Sequence, residues 1–191
     1  MPATATPRQA HLLDQLVELI LAEGFRQFTL DDLAARLHCS KTTLYALGDS
    51  KEQVIVNAVK HFFRRSTEEV EREADGGEPP ARIVAYLRAV AAALRPATEA
   101  FFADLAALPP AAEVYERNTR LASGRVNEMI DDGVRSGHFR KVHAAFVADT
   151  VAATMRRIQE GEVLAATGLT DADAYAELAT LILDGIRSDA G

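Results

Sequence analysis

The stretch FTLDDLAARLHCSKTTLYALGDSKEQV, Phe28 to Val54, constrains this chain more than any other. It predicts two short helices joined by a tight turn, then the entry to a longer third. Thr29 has Asp32 three residues on, the spacing of a capping box. Leu30, Leu33, Ala34 and Leu37 then recur at helical spacing and give one apolar face. His38, Cys39 and Ser40 leave room only for a turn, and Ser40 is placed to cap the next helix. That second helix, Lys41 to about Leu47, turns Leu44 inward and shows Lys41, Thr42, Thr43 and Tyr45 to solvent. Ser50 with Gln53 repeats the capping signature and opens the long helix. Two short helices so joined form a helix-turn-helix unit, whose second helix lies in a DNA major groove.

The remainder also reads as helix. Residues 1–7, MPATATP, are small, polar and proline-bearing and are expected to be disordered. From about Arg8 to Glu23, Leu12, Leu16 and Ile20 lie on one line and Leu13, Val17 and Leu21 on the next. That double stripe is a core face, and Gly24 ends it as a C′ glycine does. The long helix continues from Ser50 to about Ala74 on Val54, Ile55, Ala58, Val59 and Phe62, with Glu68 to Asp75 solvated. GGEPP, Gly76 to Pro80, breaks it and is the clearest boundary in the chain. Further helices are expected on Ile83 to Leu94, Thr98 to Leu108, and about Ala111 to Ser136. Two more are expected on Val142 to about Ala166 and Thr170 to about Arg187, the last opened by Thr170 and Asp173. The count is nine, without β alternation or internal repeat.

A chain of 191 residues has ample length to bury a core in one or two compact units. No run of eighteen apolar residues occurs, so no transmembrane helix is indicated. The N-terminus lacks the basic and apolar segments of a secretory signal. The single cysteine, Cys39, permits no internal disulfide and fits a reducing compartment, so cytoplasm is expected. Cys39 is either a packing residue or a redox sensor, and its turn position beside Leu37 favours packing. The net charge of −7 runs against a nucleic-acid partner. Residues 1–51 carry Arg8, Arg26, Arg36, Lys41 and Lys51 against six acids and sit near −1. DNA affinity would therefore rest on local placement of a few cations and hydroxyls, and its salt dependence would be modest.

The same stretch resembles the DNA-binding domain of the TetR family of bacterial transcriptional regulators. Thr29, Leu33-Ala34, Ser40, Leu44-Tyr45 and Ser50-Lys51-Glu52 match that pattern in order and spacing. Leu37-His38-Cys39 stands where the family often has Ala-Gly-Val, and His reaches the left-handed region more readily than most residues. Gly48 stands where the family usually has Phe, leaving Leu47 to take over its packing. The likeness is close over about a quarter of the chain and architectural beyond it. It implies an all-α fold of about nine helices. A DNA-binding head, residues 1–51, would precede a ligand-binding and dimerisation body, residues 52–191.

Lys41, Thr42 and Thr43 occupy the first turn of the recognition helix, where base edges are met. Threonine suits a base edge or a thymine methyl, and lysine reaches guanine O6 and N7. By resemblance, Tyr45 and Lys51 are phosphate clamps and Thr29 a phosphate contact; Tyr45 as a partly buried aromatic is the other reading. Arg8 and Arg26 are phosphate contacts or plain solvated surface. His11, His61, His138 and His143 show no metal-ligand spacing, and no cofactor is called for. Asp31-Asp32 and Asp131-Asp132 are adjacent on helices and do not face one another, as general acid–base work would require. No GxSxG, P-loop or GxGxxG occurs, so no enzyme is expected.

The body is expected to dimerise and to hold a small effector, as the resemblance implies. The last two helices carry Ala144, Ala145, Ala148, Ala152, Ala153, Ala176 and Ala179 beside Val151, Leu178, Ile182 and Leu183. Such helices suit a four-helix interface between subunits, or an ordinary core within one. Effector candidates are Tyr86, Phe101, Phe102, Tyr115, Met129 and Met155, though taken singly each reads as core before ligand wall. The expected function is a homodimeric, ligand-responsive transcriptional repressor on a near-palindromic double-stranded operator, with no membrane partner. Two rivals stay open: a helical small-molecule or protein-binding module that has lost specific DNA binding, and a helical enzyme.

Overall fold

The computed structural model describes residues 7–187. Its elements are α1 (Pro7–Glu23), α2 (Leu30–Arg36), α3 (Lys41–Tyr45), α4 (Lys51–Glu73) and α5 (Pro79–Leu94). They continue with α6 (Glu99–Ala107), α7 (Pro109–Arg135), α8 (Ala144–Gln159), α9 (Glu162–Thr167) and α10 (Asp171–Ile186). Among the described residues there is no strand, and Phe139 and Arg187 share an isolated antiparallel bridge. The fold is all-α. Among the described residues ten helices stand where the periodicity predicts nine. The span expected as one helix from Val142 divides at Gly161, which takes φ +74°. A left-handed residue cannot continue an α-helix, and glycine adopts it without a Cβ penalty. The expectation of disorder over residues 1–7 falls outside the described residues, apart from Pro7, which opens α1.

The chain forms two compact units. One holds the chain through Arg65 together with Pro96–Glu116, and the other Ser66–Arg95 with the chain from Arg117. Residues 76–78 are therefore a turn inside the second unit, and Pro79 and Pro80 open α5.

The first unit is built on the double stripe of α1. Leu16 and Ile20 are fully buried with Leu33, Leu44, Ile55 and Phe101. Burying each such side chain is worth about 1.5–3 kcal/mol, so this stripe fixes the packing. Phe101 meets Phe25 and Phe62 edge-on at ring separations of 6.3 and 6.2 Å. Polar contacts then pin α6 to the turn after α1. The Asp104 carboxylate accepts from the backbone N–H groups of Phe25 (2.6 Å) and Arg26 (2.7 Å). Both Thr98 N and Thr98 Oγ1 donate to Leu21 O. These satisfy groups that the end of α1 would otherwise leave open.

A second polar set braces α1 against α4. His61 is buried, and its Nε2 lies 2.7 Å from Asp14 Oδ1, which Arg65 also contacts. Arg64 Nη2 is 3.1 Å from His61 Nδ1. Arginine only donates, so Nδ1 accepts and the ring hydrogen is on Nε2, given to Asp14.

The second unit closes on Ile83, Leu87, Met129, Ile130, Val151 and Ile158. Gly133 of α7 is required there: a Cβ at that position would overlap the Phe139 ring. Arg125 Nε bonds both Glu71 carboxylate oxygens at 3.1 and 3.0 Å. Arg140 N donates to Ile186 O, and Arg140 Nε to Gly185 O, both at 2.8 Å. These fasten the chain after α7 to the end of α10.

Candidate nucleic-acid interface

The turn between α2 and α3 is assembled by caps. Thr29 N donates to Asp32 Oδ2 at 2.8 Å while Asp32 N donates to Thr29 Oγ1 at 3.2 Å, the reciprocal capping box. The Thr29 hydroxyl adds a third bond to the same carboxylate at 2.6 Å. These bonds outweigh the small desolvation cost and hold the Asp32 carboxyl below its ordinary pKa. His38 takes φ +49°, the left-handed conformation that the turn demands of the position. Ser40 then caps α3, accepting from Thr43 N at 3.1 Å, and its hydroxyl lies 2.8 Å from the Thr43 hydroxyl.

Helix α3 buries Leu44 completely and leaves Lys41, Thr42 and Tyr45 exposed, with Thr43 half-buried. Tyr45 is 47% exposed, so it is an aromatic facing solvent and not a core residue. Leu47 is buried, as expected of it. Gly48 has a reason of its own. A Cβ there would lie 2.7 Å from Val54 N and 2.8 Å from Gln53 C, so the backbone of α4's first turn occupies that space. Neither Phe nor Ala fits this approach. Gln53 N donates to Ser50 Oγ at 3.2 Å, and Asn57 Nδ2 donates to Leu47 O at 2.6 Å. Both hold the linker to α4.

Three of the five cations of residues 1–51 are engaged, Lys41, Lys51 and Arg36. Lys41 Nζ lies 2.7 Å from Asp31 Oδ2, and that bond raises the lysine pKa. Lys51 Nζ donates to Arg26 O at 3.0 Å, and Arg36 forms a forked pair with Glu23. The sequence hid these pairings, because Asp31 and Lys41 lie ten residues apart on different helices with no local pattern to join them. Burial raises the Cys39 thiol, which leaves little of the thiolate that redox sensing uses.

The effector candidates fall into two groups, one in each unit. Phe101, Phe102 and Tyr115 join the first unit's aromatic cluster, where Tyr115 lies 6.0 Å from Phe102 and 5.8 Å from Phe63 between ring centres. Tyr86, Met129 and Met155 belong to the core of the second. Burial, reinforced by the Glu71 charge, pushes the Tyr86 phenol well above its ordinary value, with Arg125 opposing. No group of three or more His, Cys, Asp or Glu among the described residues could hold a metal ion.

Residues 12–58, α1 through the start of α4, match the family described as "Bacterial regulatory proteins, tetR family". Residues 12–58 of this chain are thus a TetR-family segment. The chain's resemblance to TetR-family heads extends to individual proteins. It is 44% identical over 62 residues to the "Uncharacterized HTH-type transcriptional regulator YvaF" of Bacillus subtilis, 32% of each chain. To the "DNA-binding transcriptional repressor TetR" of Mycobacteroides abscessus it is 34% identical over 59 residues, 31% of each. These matches thus span about a third of the curated relatives' length. The fold is shared further. A Saccharomonospora viridis protein crystallised with choline superposes with a TM-score of 0.80 at 17% identity, covering 95% of this chain and 98% of that one. The TetR-family regulator PfmR of Thermus thermophilus gives 0.68 at 17%, covering 91% and 97%. The TetR-family fold is therefore this chain's fold, with no helix among the described residues long and apolar enough to cross a membrane.

Proposed function

We propose that this protein is a cytoplasmic, homodimeric, ligand-responsive repressor of the TetR family that binds a near-palindromic DNA operator. The observation that carries the reading is the division of labour on α3. Leu44 is buried as its anchor, while Lys41, Thr42 and Tyr45 are left exposed on the helix that would enter a major groove. Lys41, Thr42 and Thr43 meet base edges or phosphates from the first turn of that helix, with Thr29, Tyr45 and Lys51 as phosphate contacts that set register. The functional division is a DNA-binding part to residue 51 and an effector and dimer part beyond.

Dimerisation is supported by large apolar side chains left bare on the last helices: Phe146 on α8 and Leu181 on α10 are each about 70% exposed. Ala145 and Ala176 are exposed with them, whereas Ala144, Ala148 and Ala179 pack within the chain's own core. A second copy is the occupant that would cover such a face with its own equivalent. The effector reading keeps both candidate groups, Tyr86, Met129 and Met155 in one unit and Phe101, Phe102 and Tyr115 in the other. An effector favouring one conformer would change the tilt of α4 and hence the separation of the two heads. That requires different affinity for the two conformers.

Footprinting on the DNA upstream of the protein's own reading frame tests the proposal. Two protected half-sites, about 34–36 Å apart or a multiple of that, are expected. Crosslinked heads whose spacing and DNA affinity do not respond to a bound effector would remove the ligand-responsive part. The near-neutral charge of residues 1–51 and their engaged cations favour one rival, a small-molecule or protein-binding module without specific DNA binding. Protection no different from that on scrambled DNA would select it.

A further inference from the structure

We propose that Asp31 is a positioning residue that competes with DNA for Lys41 and so holds down the head's affinity for DNA of any sequence. The inference rests on the DNA-binding reading above. Asp31 sits in the first turn of α2, and Lys41 is the first residue of α3. Their side chains meet at 2.7 Å although both are largely exposed, Asp31 at 73% and Lys41 at 47%. No packing forces that meeting. Nor does Asp31 have the structural duty of its neighbour, since the capping box is completed by Asp32. The first turn of α2 thus carries a second carboxylate outside the capping box, aimed at the cation of the recognition helix.

Of the two lysines in the proposed contact set, Lys51 rests on a neutral carbonyl and Lys41 on a full negative charge. A phosphate reaching Lys41 must displace Asp31 and approach its charge as well. Exposed pairs of this kind are weak enough for DNA to open, yet each exacts about a two- to fivefold factor in affinity. With residues 1–51 near −1, few other cations there can make up for such a factor. Non-specific binding is almost wholly electrostatic and feels it in full.

The test is fluorescence anisotropy with a mixed-sequence DNA duplex across a salt series, using the full chain. The variants are Asp31→Asn, Asp31→Glu, Lys41→Met and the Asp31→Asn/Lys41→Met pair, with thermal melts alongside. Asp31→Asn is expected to bind about two- to fivefold tighter. Its salt slope should change by less than the roughly 0.9 of one whole phosphate, because DNA opens the pair in the wild type as well. Asp31→Glu should restore wild-type affinity and slope, an outcome no loss of fold would give. On Lys41→Met, the effect of Asp31→Asn should fall by more than half. Unchanged affinity in Asp31→Asn, or an equal gain with and without Lys41, overturns the proposal. Failure of the regulator reading is separate: it shows as equal affinity of the wild type for its own upstream DNA and for the mixed duplex. If no variant binds at low salt, both fall together.

Discussion

Replacing Gly48 by alanine should destabilise the protein although it adds a single methyl group. The position does not have a left-handed φ, so alanine carries no backbone penalty there. The cost is steric. The new Cβ would lie 2.7 Å from Val54 N, 2.8 Å from Gln53 C and 2.9 Å from Gln53 Cγ. Two of these atoms are backbone in the first turn of α4, where Val54 N already donates to Ser50 O at 2.9 Å. They can give way only by moving the start of the helix. Overpacking of this kind costs about 1–3 kcal/mol. Lost freedom of the unfolded chain returns about 0.4–1 kcal/mol. The net expectation is a loss of about 1–2 kcal/mol, read as a lower urea midpoint by circular dichroism with unchanged slope. Gly124→Ala is the control. That glycine lies within α7 with nothing within 4 Å of its Cβ position, so the same change should stabilise by about 0.5–1 kcal/mol. If Gly48→Ala matched or exceeded wild-type stability, the close approach of the turn to α4 would be wrong.

Other contacts give further expected outcomes. Gly133→Ala drives a methyl into the Phe139 ring and should cost about 1–3 kcal/mol in urea unfolding, the ring being buried with little room to yield. Asp104→Ala leaves the N–H groups of Phe25 and Arg26 without their acceptor and should cost about 1–3 kcal/mol, while Asp104→Glu is a partial rescue. Burial raises the Asp14 carboxyl, but hydrogen bonds from His61 and Arg65 with the Arg65 charge outweigh it and hold the pKa below 3.8. Its stabilisation is thus complete above that value and is lost as pH falls through the lower, folded-state pKa. The stability gap between wild type and Asp14→Asn should be full at pH 7 and shrink below about pH 4, measured by urea midpoints across that range.

What the sequence made legible were features written locally. The Thr29/Asp32 and Ser40 caps, the α1 stripe and the buried Leu44 depend on residues three or four apart, and each stands as read. The long helix expected from Val142 failed for a related reason. Apolar periodicity continues across Gly161, and only the left-handed backbone reveals the break. Contacts between distant segments were out of reach. Asp104 on the turn after α1, Asp31 on Lys41 and the backbone crowding at Gly48 join residues with no shared periodicity. Gly48 shows the point best. In the sequence it is a missing aromatic, and in the fold it is the residue that lets α4 begin where it does. The alanines of α8 and α10 divided between core and exposed surface because composition shows that a helix packs closely, not against what.

The central claim is specific DNA binding through α3, and its most direct test is one titration. Purified protein is titrated against its own upstream DNA and against a scrambled duplex at two salt concentrations, with Tyr45→Phe and Thr43→Ala alongside. Clear preference for the upstream DNA is expected, weakened by both substitutions, with the modest salt dependence of a head carrying few free cations. Equal binding to both duplexes, indifferent to Tyr45 and Thr43, would contradict it.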